Sequence, residues 1–123
     1  MKRSRVRKLE RRKGGNSVTL NQWLANTSKE LENARKETGR MTIKRKGLVC
    51  GDGLSLSVQA SEFHYCEPQK IVENYSSVEV YSHGETVKEL EELGYHMEDE
   101  VYRFVNVNDL TEVIQVHGGI KES

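Results

Sequence analysis

With 123 residues, of which 35 % are hydrophobic and 31 % charged, the chain reads as one small domain with a modest core, for which self-association is expected. Its 19 basic and 19 acidic side chains cancel, but unevenly: Met1 to Lys13 sets eight basic residues against Glu10, and Glu85 to Glu100 sets seven acids against Lys88. No apolar run approaches the roughly 20 residues of a membrane span or forms the core of a leader peptide, and two cysteines are too few for a disulfide framework, so a cytoplasmic protein with reduced thiols is expected.

Residues 1–15 have too little apolar content to offset their ordering entropy and are read as a basic, flexible tail. Residues 16–40 are read as an N-terminal helix. Thr19 and Gln22 have capping-box spacing, Leu20, Trp23, Leu24, Leu31 and Ala34 share a face, and Gly39 supplies a stop. Residues 41–123 are read as an α+β ligand-binding domain. Extended pieces at Met41 to Lys44 and Leu48 to Cys50 lead into a Gly51-Asp52-Gly53 turn, after which Leu54, Leu56, Val58 and Ala60 alternate with polar residues in a half-buried hairpin strand. Tyr75 to Tyr81 alternates again, Glu85 to Leu93 fits a short helix closed by Gly94, and Val101 to Val107 alternates a third time. Asn106 or Asn108 caps a last helix whose apolar face is Leu110, Val113 and Ile114, with Gly118-Gly119 as its stop. Strands joined by short connections predict a small antiparallel sheet with helices on one side.

Familiar enzyme signatures are absent from the sequence: no phosphate loop, nucleophile elbow, His-Glu-x-x-His or paired nuclease acids. The protein is accordingly read as a binder with no catalytic residues and no cofactor. His64 and Cys66 stand two apart, on one face of a strand, as half a zinc site; completion requires His83, His96 or His117, and packed side chains at a strand end are the preferred reading, with no metal. Binding chemistry gathers at the predicted strand ends. Phe63, His64 and Tyr65 follow the second strand, Tyr81, Ser82 and His83 the third, and Arg103 sits between Tyr102 and Phe104 in the fourth. Aromatic faces stack on a nucleobase and a guanidinium grips a phosphate. Against this stands the plainer reading that Phe63, Phe104 and some of the tyrosines are core and that Arg103 lies on a solvated sheet face.

Four pieces in order, "SVQASEFHYCEP", "YSSVEV", "VYRFVNV" and "VIQVHGGI", lie within the last two thirds of the chain, and in them it resembles the phage family of the first Thoeris anti-defence proteins. That family consists of oligomeric sponges that sequester a cyclic ADP-ribose-type signal made by a host TIR-domain immune enzyme. The resemblance implies capture of a cyclic nucleotide without turnover in the cytoplasm of an infected bacterial cell, by a dimer or larger homo-oligomer. It implies a ligand wall at Phe63, His64 and Tyr65, a second at Tyr81, Ser82 and His83, Arg103 as the phosphate partner, and His117 with Gly118-Gly119 at a subunit contact or as a simple helix stop. The chain departs from the family pattern at Tyr81-Ser82-His83, where the family has Gly-Phe-Pro, and at Gln69, where it has Arg; residues 1–40 lie outside it. The alternative reading is a phage protein that binds nucleic acid through its basic tail, or blocks a host effector in the manner of a CRISPR inhibitor through its acidic segment.

Overall fold

The computed structural model of the chain describes residues 18–121, so the basic tail expected at residues 1–15 lies outside the described residues. Helix α1, Leu20–Thr38, starts where the sequence places it. The Thr19 hydroxyl accepts the Gln22 N–H at 3.1 Å while the Gln22 side chain accepts the Thr19 N–H at 3.1 Å, which satisfies two of the donors that every helix start leaves open. Gly39, at φ 71°, ends it in the left-handed conformation that glycine adopts without a steric cost. The buried face comprises Leu20, Trp23, Leu24 and Leu31, extended by the small polar residues Thr27 and Ser28, while Ala34 is only half-buried.

Four strands follow: β1 Leu48–Val49, β2 Ser55–Gln59, β3 Ser77–Tyr81 and β4 Val101–Asn106. They pair antiparallel in chain order, with Leu48 opposite Leu56, Val58 opposite Val80, and Val78 opposite Val105. Between β3 and β4 runs the short helix α2, Lys88–Glu92, and after β4 comes helix α3, Val107–Val116. The Asn106 side chain caps α3 by accepting the N–H groups of Asn108 and Asp109. Leu56, Val58, Val78, Val80, Tyr102 and Val105 point to one face of the sheet and bury there with Trp23 and Leu24 of α1, Leu90 of α2, and Leu110, Val113 and Ile114 of α3. The molecule is thus an α+β fold with its helices on one side of a four-stranded antiparallel sheet, as expected.

Three boundaries differ from expectation. Met41 to Lys44 forms a turn and irregular chain rather than a strand piece, β3 begins at Ser77 rather than Tyr75, and α2 occupies only the middle of the predicted Glu85 to Leu93. The fourth strand departs most from simple alternation. Val78 and Val80 of β3 face Val105 and Tyr102, so Arg103 and Phe104 together stand opposite the single residue Glu79, a β-bulge. Phe104 takes φ 52° there, and both Tyr102 and Val105 keep their places in the core.

The segment after α3 closes the structure. The Lys121 N–H donates to the Val49 carbonyl at 2.7 Å, Gly51 N–H to Gly119 at 2.9 Å, and Asp52 N–H to His117 at 2.9 Å. Ile120 bridges both Cys50 and Val18, so the outer edge of β1 is paired rather than bare. The two backbones meet so closely that a Cβ on Gly51 would stand 2.7 Å from the Gly118 oxygen, which explains glycine at Gly51 without any phosphate chemistry. His117 and Gly118-Gly119 therefore end α3 and dock on the β1–β2 hairpin of their own chain.

Candidate functional site

The turn that leaves β2 sorts its side chains into inward and outward sets. Ser61, almost fully buried, accepts the Phe63 N–H at 3.0 Å through its hydroxyl and lies 2.7 Å from His64 Nδ1. His64 is thereby folded inward, and burial pulls its pKa below the ordinary value by favouring the neutral ring. Cys66 is fully buried, its thiol directed at the carbonyls of Ser61 and Pro68, and burial raises its pKa, so it is an inert packed thiol. Cys50 is likewise buried, with its pKa pushed up to about 12. The turn leaves two aromatics outside beside Glu62: Phe63 is 58 % exposed and Tyr65 40 %.

Phe104 joins them. A left-handed φ is a costly conformation for a bulky residue, and here it turns the ring out of the sheet, where it is 44 % exposed and meets Tyr65 edge-on with centroids 5.9 Å apart. The backbone is fixed to match: the Phe104 N–H donates to the Tyr65 carbonyl at 3.2 Å, and the Tyr65 N–H to Glu79 Oε1 at 3.1 Å. Arg103 lies over the Tyr65 ring, its guanidinium carbon 4.3 Å from the ring centre. Its nitrogens hold Glu98 at 3.0 Å and Asp99 at 2.9 Å. Both carboxylates are strongly exposed, so each pair is worth only about 0–1 kcal/mol and yields readily to a better anion. Phe63 stands apart from this trio, under the guanidinium of Arg35 at 5.9 Å, which is itself gripped in a fork by Glu62.

Two open grooves meet at Phe104. One runs along Glu67, Ser76, Ser77 and Asn106, the other along Cys66, Glu67, Pro68 and Gln69, and each holds about 390 Å³. That lies within the roughly 300–1,000 Å³ common for small-molecule sites. The Glu67–Pro68 peptide in their shared wall is cis.

Tyr81, Ser82 and His83 form a separate group at the far end of β3. Tyr81 pairs with Ser57 and Val101, and its ring meets that of His83 edge-on at 5.2 Å. Ser82 is buried and donates to the Glu85 carbonyl, so its hydroxyl is committed to the turn. Among the described residues no hydrogen bond or ring contact joins this group to Phe63, His64, Tyr65 or Arg103. Of the seven residues singled out from the sequence, the structure brings Tyr65 and Arg103 into contact, sets Phe63 in the same turn, turns His64 and Ser82 inward, and leaves Tyr81 and His83 elsewhere. Phe104, Arg35 and Glu79 complete the arrangement and were not among those seven; Phe104 stands two residues from Tyr102, in step with the alternation, so the sequence carried no signal that it would turn outward.

Among the described residues no group of three or more His, Cys, Asp or Glu side chains is placed to hold a metal ion, and no helix is long and apolar enough to cross a membrane. No family model, curated protein or solved structure matches the chain.

Proposed function

We propose that the protein captures a small nucleotide of the cyclic ADP-ribose type without turning it over, as a phage-encoded sponge for an immune signal in the infected bacterial cell. The observation that carries this reading is the ledge of Tyr65, Phe104 and Arg103 beside two open grooves. It combines rings that offer faces to a base with a guanidinium whose present partners are weakly held. The ligand class rests on the resemblance of the "SVQASEFHYCEP" to "VIQVHGGI" pieces, and with it the expectation of a dimer or larger homo-oligomer, which sedimentation at micromolar concentration checks.

The competing effector-blocking reading drew on the acids of Glu85 to Glu100. Four of these are engaged internally: Glu89 with His117, Glu91 with Tyr102 and His96, and Glu98 and Asp99 with Arg103. Calorimetric titration with cyclic ADP-ribose isomers tests the sponge reading. Stoichiometric binding, with intact nucleotide released on heating, supports it; no binding at micromolar concentration removes it.

A further inference from the structure

Arg45 lies in the run "KRKG", which reads as solvated charge, yet it is 5 % exposed. Among the described residues no carboxylate hydrogen-bonds to it. Nη1 donates to the Leu24 carbonyl at 3.0 Å and the Thr27 hydroxyl at 2.6 Å; Nη2 donates to the Ser28 hydroxyl at 3.0 Å, the Ala60 carbonyl at 2.9 Å and the Tyr75 hydroxyl at 3.1 Å. The guanidinium also lies over the Tyr75 ring at 5.5 Å, and the Gln59 side chain brackets the Arg45 backbone, accepting its N–H and donating to its carbonyl. Neutral acceptors can satisfy a buried cation only when the chain segments that supply them are held around it. Those segments are α1, the end of β2 and the excursion before β3. Ala60 is the last residue before the turn that carries Phe63 and Tyr65. Tyr75 ties down the excursion that walls the grooves: its hydroxyl donates to the Lys70 carbonyl at 2.7 Å and accepts the Val72 N–H at 3.0 Å.

We propose that Arg45 is the positioning residue of the ligand site: one guanidinium joins α1 to both ends of the Ser61 to Ser76 excursion and so sets where the aromatic ledge and the grooves stand. The inference rests on the reading of the ledge as a ligand site and makes α1 part of that site's frame. Arg45 touches no ligand and acts through Ala60 and Tyr75. An ammonium has only three N–H donors and cannot serve the five acceptors, so Arg45→Lys keeps the charge and loses the frame. Tyr75→Phe keeps the ring and the core volume and removes only the hydroxyl that links the guanidinium to Lys70 and Val72.

The test is amide hydrogen exchange on the full chain with Arg45→Lys and Tyr75→Phe, beside titration with cyclic ADP-ribose. Both variants are expected to melt cooperatively and to exchange about tenfold or more faster at residues 61–76, with β3, β4 and α3 unchanged. Nucleotide affinity is expected to fall about tenfold or more in each. Exchange that rises evenly over the whole chain, or does not change at residues 61–76, overturns the proposal. So does full nucleotide affinity in a variant whose excursion has loosened. If Arg45→Lys fails to fold, Tyr75→Phe decides alone. If the unaltered protein binds no nucleotide, the function reading falls, while the exchange pattern still decides whether Arg45 sets the excursion.

Discussion

Phe104 shows how a single backbone angle changes the meaning of a residue. In an undisturbed strand it would share a face with Tyr102 and belong to the core, as the plainer sequence reading had it; the bulge opposite Glu79 turns it outward instead. Replacement by glycine removes the left-handed strain, about 1 kcal/mol, and loses an exposed edge-on contact of similar size. Phe104→Gly is therefore expected to shift the melting temperature little, while a ligand stacked on that ring loses about 1–3 kcal/mol; calorimetric titration and a thermal melt of the same sample read both. Arg103→Ala is expected to weaken nucleotide binding by about 1.5–3 kcal/mol with the fold intact, because the carboxylates it releases are already in water. An unchanged dissociation constant for Arg103→Ala in that titration would take phosphate recognition away from Arg103. Neither the bulge nor the burial of Arg45 was legible in the sequence. The first needs the register between two strands, and the second needs acceptors that lie from 15 to 30 positions away along the chain.

The elements themselves were legible where local chemistry decides them. The Thr19 and Gln22 cap, the Gly39 stop, the Gly51 to Gly53 turn and the Asn106 cap are each short-range hydrogen-bond solutions, and each stands where expected. What remained hidden was how elements meet. His117 is the clearest case: Nδ1 lies 2.7 Å from Asp52 of the hairpin turn and Nε2 2.9 Å from Glu89 of α2. Burial alone would lower its pKa, but the hydrogen bonds and charges of Glu89 and Asp52 together raise it, so the imidazolium is favoured in the fold. A group whose pKa is higher in the folded state stabilises fully below its unfolded value, about 6.5, and loses that contribution as pH rises through the folded value. Asp52 runs the other way. Burial opposes it, yet the Leu54 N–H and His117 lower its pKa, so its share is lost only in acid. The melting temperature is expected to fall as pH rises above about 6.5, and His117→Gln is expected to flatten that slope; equal slopes for both proteins in a pH series of melts would assign it elsewhere. Gly51→Ala forces its Cβ onto a backbone oxygen of Gly118 and is expected to cost about 2 kcal/mol or more, measured by denaturant unfolding.

At the scale of the whole molecule, formal net charge is zero, so capture of a nucleotide rests on local groups rather than on a general field. Affinity for a small nucleotide at the ledge is expected to change by less than about tenfold between 50 and 200 mM salt, whereas polyanion binding with many phosphate contacts would fall by about 10³–10⁵. A steep slope in that titration would favour the nucleic-acid reading. One feature of the architecture also bears on how the protein is made. The hairpin's outer edge is paired by residues that follow it by 65 positions or more, Asp52 and His117 being the nearest such pair along the chain. On the ribosome, β1 and β2 emerge long before residues 117–121 exist, so the hairpin waits with an open edge while β3, β4 and α3 are translated. Without residues 117–121, β1 keeps β2 as its partner on one side but has a bare outer edge on the other.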